Sequence, residues 1–126
     1  GAAKAVALVI PSMKDKMTGI SYRVPVADVS LVDLNVLLKK ETTYDEICKK
    51  MKEASETYMK GVLEYVDDEV VSSDFIGDSH TSIFDAREGI AVNDKLFKLI
   101  AFYDNEYGYS SKVLELIKHM YSVDNK

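Results

Sequence analysis

Apolar residues along this chain change their spacing several times, and each change predicts an element. Ala2, Ala3, Val6, Val9 and Ile10 recur at helical spacing, and Pro11 stops them. The chain thus opens on a helix without a leader, as a segment of something longer would. From Gly19 onward, Ile20, Tyr22, Val24 and Val26 alternate with polar Ser21 and Arg23, which predicts a strand whose end Pro25 places at an edge or bend. Val32, Leu34 and Val36 alternate with Asp33 and Asn35 and predict a second strand. Thr43 followed by Glu46 is a capping box that starts a helix with a stripe of Tyr44, Ile47, Met51, Ala54 and Tyr58, and Gly61 closes the helical region. Val70-Val71, Thr81 to Phe84 and Leu96 to Phe102 read as further strands, the last apolar enough to be central. Ile76-Gly77-Asp78 and Ala91-Val92-Asn93-Asp94 supply turns between them. A closing helix runs from Ser110 or Ser111 to Tyr121, with Val113, Leu114, Ile117, Met120 and Tyr121 on one face and a frayed tail from Ser122. This order is not a regular βα alternation. It predicts an α+β fold with a mixed, mostly antiparallel sheet, helices on one face and a C-terminal helix.

Composition narrows the partners more than the fold. The 126 residues suffice for one domain, and 47% apolar with 29% charged residues is ordinary for a soluble globular chain. No apolar run reaches the ~18 residues of a membrane span. A net charge of −5, with both signs interspersed, argues against nucleic acid as a main partner. Arg23 and Arg87 are the only arginines, so a bidentate anion site has few candidates. A single cysteine excludes an internal disulfide and fits a reducing compartment, with the cytoplasm expected.

No complete catalytic set can be assembled. Cys48 lies on the margin of a helical stripe with no histidine near it in sequence and reads as packing. Asp78, Ser79 and His80 point to alternate faces if extended, so they are expected not to converge, and His80 reads as structural. His119 lies near the end of the last helix, where a cation complements the dipole. No metal-ligand spacing and no glycine-rich phosphate loop is present, so no metal is expected. Arg23 is the candidate for an anion, its bland alternative being a surface pair with a carboxylate such as Asp33. Asn105 offers donor and acceptor together at a strand end, or serves only as a turn or cap, and Tyr103 and Tyr107 either line a ligand or anchor the junction.

Several collinear strings carry a resemblance: Tyr22-Arg23-Val24-Pro25, Val32-Asp33-Leu34, Val71-Ser72-Ser73-Asp74-Phe75, Ile83-Phe84-Asp85-Ala86, Gly89-Ile90-Ala91 and Tyr103-Asp104-Asn105-Glu106-Tyr107-Gly108-Tyr109-Ser110. Together they resemble the C-terminal part of the catalytic domain of phosphorylating glyceraldehyde-3-phosphate dehydrogenases. The resemblance implies a partial catalytic domain over 1–126, without the dinucleotide-binding domain. It implies an enzyme that uses NAD and inorganic phosphate to turn glyceraldehyde 3-phosphate into 1,3-bisphosphoglycerate, working in the cytoplasm as a homotetramer. It matches Arg23 and Gly1 to contacts with substrate or inorganic phosphate, and Asn105 and Tyr103 to contacts around the nicotinamide.

The family's nucleophilic cysteine motif and its histidine base are absent, and neither Cys48 nor His80 stands at those positions. This chain alone is therefore expected to be inactive and not to bind NAD, its partners being the missing half and other subunits. Glu64 and Val66 replace a usual Gly-Tyr-Thr setting around Tyr65, Phe102 a usual tryptophan, and Leu8 and Leu37 positions that are often charged. The alternative is a stand-alone interaction module that keeps the fold without catalysis. The closing helix, lacking its usual neighbour, is expected to drive self-association or to repack.

Overall fold

The computed structural model describes residues 2–125, the side chains of 2–4 excepted. Its centre is a four-stranded mixed sheet built from β1 (Ser30–Leu37), β2 (Leu63–Val66), β3 (Ser82–Ala91) and β4 (Leu96–Tyr103), in the order β1-β4-β3-β2. The apolar β4 is central, as its pattern predicts. It pairs antiparallel with β1 from Ser30↔Tyr103 to Leu37↔Leu96 and antiparallel with β3 on its other side. Asn93 makes the β3–β4 hairpin, its Oδ1 accepting from the backbone N–H of Lys95 (2.9 Å) and Leu96 (2.8 Å). The short edge strand β2 runs parallel to β3.

Alternation along β3 separates two cores. Phe84 faces α2 (Tyr44–Glu56) and meets Ala54 and Leu63, with Tyr44, Ile47, Cys48 and Met51 packed around them. Ile83 faces the other way and packs with Val29, Phe75, Ile100 and Phe102. That second face is covered by the β2–β3 crossover, which carries Val70, a short 3-10 turn (Ser72–Phe75) and the Phe75 ring 5.1 Å from that of Phe102. The capping box at α2 forms as expected: Thr43 Oγ1 accepts from the N–H of Glu46, and Glu46 Oε2 accepts from the N–H of Thr43, both at 3.2 Å.

A bulge interrupts β3 between Asp85 and Ile90. The buried Asp85 carboxylate holds it by accepting from the N–H of Arg87 (2.9 Å) and Glu88 (3.3 Å). Gly89 lies in this bulge because the Tyr44 ring and hydroxyl, which donates to Ala86 O at 3.0 Å, occupy the space a Cβ would need.

Four expectations need correction. The stretch Gly19 to Val26 is irregular rather than a strand, and Ile20, Tyr22, Val24 and Val26 face solvent. Among the described residues no strand pairs with it, so its alternation had nothing to register against. Val70-Val71 is not a strand either but leads into the 3-10 turn, where Asp74 Oδ2 accepts from the N–H of Val71 at 2.7 Å. Tyr58 is not in the α2 stripe, since the helix ends at Glu56 and leaves Tyr58 exposed. The closing helix α3 is longer than expected, Tyr107–Asp124, so Ser122 to Asp124 are helical and not a tail. α1 (Ala2–Val9) ends before Pro11, as predicted.

Candidate functional site

Two groups of polar side chains meet at the same end of the sheet. The first is the turn from β4 into α3. Asp104 is only 2% exposed. Its Oδ2 accepts from the N–H of Gly77 (2.9 Å), and its Oδ1 from those of Glu106 (2.9 Å) and Tyr107 (2.7 Å). Burial by itself raises its pKa, but these backbone donors outweigh burial and hold the carboxyl below its usual range. Asp104 thereby caps the first turn of α3 and ties it to the Gly77 turn, which needs its φ of +86°. Gly108 sits where a Cβ would come within 3.0 Å of His80 O, so α3 starts hard against the His80 backbone.

That frame fixes the two residues on either side of Asp104. Tyr103 is the last residue of β4, registered against Ser30, and Asn105 follows on the surface. Ser30 Oγ donates to Asn105 Oδ1 at 3.0 Å, while Asn105 Nδ2 reaches Glu106 Oε1 only at 3.4 Å. The amide is oriented through its oxygen, and its N–H donors remain at the surface. An exposed, oriented amide presents donor and acceptor together to whatever lies against it.

Arg23 is not brought to this place by any contact. It lies in the exposed irregular stretch, so the strand that was to aim its guanidinium is absent. Its bland partner is absent too, since Asp33 pairs with Lys98 Nζ at 2.8 Å. Gly1 lies outside the described residues. Cys48 is part-buried beside Tyr44 and Tyr65, and burial pushes its thiol pKa up, as befits a packed rather than an activated cysteine.

The second group is Glu64, Asp78 and His80, and sequence spacing did not reveal it. Asp78 and His80 converge after all, because the segment between them is a turn and not an extended strand. Asp78 Oδ1 accepts from the backbone N–H of His80 and lies 2.7 Å from its Nδ1. Glu64 arrives from β2, its Oε2 3.2 Å from the same Nδ1. Burial raises the Glu64 pKa, and the neighbouring Asp78 raises it further. Burial also raises that of Asp78, yet the His80 N–H, the His80 ring and Glu64 together lower it. Only pairing β2 with β3 brings position 64 to position 80, so the one sequence signal was the odd carboxylate at Glu64 in an apolar strand.

Comparison with known proteins follows the same fragments. The family described as glyceraldehyde 3-phosphate dehydrogenase, C-terminal domain, matches residues 1–105. Glyceraldehyde-3-phosphate dehydrogenase of Chlamydia pneumoniae is 59% identical over 120 residues, covering 95% of this chain and 36% of the relative. A cytosolic glyceraldehyde-3-phosphate dehydrogenase of Arabidopsis thaliana is 61% identical with the same coverage, and that of Phytophthora infestans 62%. The chain therefore spans about a third of the length of the curated relatives it matches.

Proposed function

The chain belongs to the glyceraldehyde-3-phosphate dehydrogenase family, and on that premise we propose that it serves as a segment of an NAD-dependent glycolytic oxidoreductase. The complete enzyme converts glyceraldehyde 3-phosphate, phosphate and NAD to 1,3-bisphosphoglycerate and NADH, with NAD supplying the hydride acceptor. Within it, Asn105 and Tyr103 hold the nicotinamide end, and Arg23 with Gly1 contacts substrate or inorganic phosphate. The observation that carries this reading is the oriented Asn105 amide at the end of β4, on a turn that Asp104 fixes with three backbone hydrogen bonds. Arg23 enters through the resemblance of Tyr22-Arg23-Val24-Pro25 alone, and contact with the rest of the enzyme would aim its guanidinium.

Taken alone, the chain is inactive on this reading. Its one cysteine is packed against Tyr44, and nucleophile and base act as a unit, so losing both removes the route. No helix of the described residues is long and apolar enough to cross a membrane. A cytoplasmic location and a homotetrameric assembly of the complete enzyme belong to the same proposal.

The test is complementation. The chain alone should give no NAD reduction with glyceraldehyde 3-phosphate and phosphate. Combined with the residues that precede it in a relative, it should give activity that falls at least tenfold with Asn105→Ala and with Arg23→Ala. Turnover by the isolated chain, or a complemented activity indifferent to both substitutions, sinks the reading. The alternative, a non-catalytic interaction module, draws on Leu8 and Leu37, 85% and 75% exposed. It predicts partner capture that Leu37→Glu abolishes, and no activity on complementation.

A further inference from the structure

Glu64, Asp78 and His80 each present one ligating atom, and the three atoms lie within 4.8 Å of one another. We propose that these three side chains form a binding site for a divalent transition-metal ion of the zinc type, independent of the dehydrogenase reading. Two carboxylates and one imidazole converge, and Nδ1 carries at most one hydrogen for the two acids. With that hydrogen aimed at Asp78 Oδ1 (2.7 Å), Glu64 Oε2 at 3.2 Å is sealed from solvent and has no hydrogen-bond partner. A solvent-sealed carboxylate oxygen without a partner is unfavourable, and a metal ion bound to it removes that penalty. Among the described residues no lysine or arginine pairs with Glu64 or Asp78, although Lys52 and Lys60 line the same cleft.

The donor set chooses the ion. One imidazole nitrogen with two carboxylate oxygens suits zinc and its neighbours, whereas magnesium and calcium prefer oxygen alone. Tetrahedral ligands at zinc distances lie about 3.3 Å apart, so the Asp78–His80 contact opens by about half an ångström when the ion replaces the shared proton. The supporting frame is firm. The N–H of His80 holds Asp78 Oδ1, Asp104 ties down Gly77 next to Asp78, and Gly108 packs on His80 O. Glu64 and His80 also line a cleft of about 550 Å³ with Glu56, Lys60 and Asp67. A fourth coordination position therefore opens to water.

Zinc titration of the full chain by calorimetry tests this, with cobalt absorption as a second readout. One zinc per chain is expected, with a higher melting temperature and the visible bands of four-coordinate cobalt. Glu64→Gln and His80→Gln should each weaken binding at least tenfold, whereas His119→Gln and Cys48→Ser should leave it unchanged. Glu64→Gln removes a charge beside Asp78 and so keeps the fold, which circular dichroism verifies. A zinc-dependent shift of the His80 ring nitrogens in the unmutated chain is expected and needs no variant. No saturable binding up to millimolar zinc, or binding that survives both ligand substitutions, overturns the proposal. So does binding lost with Cys48→Ser.

Discussion

The buried Asp104 and the part-buried Glu64 are two carboxylates whose pKa values move in opposite directions, and their pH effects differ in sign. The folded chain holds Asp104 below its usual range, so the unfolded chain binds more protons there as pH falls. Its stabilisation is present above the unfolded value of about 3.9 and is lost as pH drops through the lower folded value. Asp104→Asn should cost roughly 2–3 kcal/mol at neutral pH by weakening charge-assisted backbone hydrogen bonds, and it should flatten the acid limb of a urea-denaturation series. Glu64 has its folded pKa raised, first by burial and then by Asp78. The folded chain then binds more protons than the unfolded one, and stability falls as pH rises from about 4.3 through the folded value. With chelator present, Glu64→Gln should raise the melting temperature at pH 7 and change it little at pH 4. Equal shifts at both values would show that Glu64 is not the group responsible. Gly89 makes a purely steric counterpart, since its absent side chain is what admits Tyr44. Gly89→Ala should destabilise by about 1–3 kcal/mol, and the cost should shrink on a Tyr44→Ala background, which a double-mutant cycle in urea measures.

At the scale of elements, local chemistry was legible wherever one short segment carried its own reason. Thr43 and Glu46 announced the start of α2, Asn93 announced the hairpin, and the apolar run in β4 announced a central strand. Thr43→Ala should accordingly cost about 1 kcal/mol in chemical denaturation. Elements that depend on distant partners were not legible. β2 is four residues long, with Glu64 breaking its apolar pattern, and only the parallel pairing with β3 makes it a strand. Residues 20–26 have the better strand pattern but, among the described residues, no strand to join. The same distinction governs the sites. That Tyr103 and Asn105 flank one turn was readable because a single junction holds both. The convergence of Glu64 with His80 was hidden, because it needs a crossover and an Asx turn together. The start of α3 was read three or four residues late, since its first turn is fixed by Asp104 and by contact at Gly108 and not by an apolar stripe.

Across the whole molecule, exposed apolar residues occur along much of the chain, and α3 carries the longest helical run of them. α3 is fastened at its start, where Lys112 Nζ donates to Gly61 O at 2.8 Å. Beyond that point Leu114, Ile117, Met120 and Tyr121 are all more than half exposed. Near the other end, Leu8, Val9, Ile20 and Tyr22 are at least 78% exposed. A contiguous helical stripe of this kind seeks cover from another surface, and so does β1, whose Leu31, Val32, Leu34 and Leu37 are 40–75% exposed while α2 and the Phe75 crossover cover the rest of the sheet. Two such surfaces on one chain favour self-association in isolation. Light scattering at tens of micromolar should give a mass above the 14.1 kDa of one chain, and a hydrophobic dye should bind. Leu114→Glu combined with Ile117→Glu should return the monomer mass and reduce dye binding without unfolding the sheet, since neither side chain belongs to a buried core. A monomeric, dye-negative chain before any substitution would overturn self-association through this stripe.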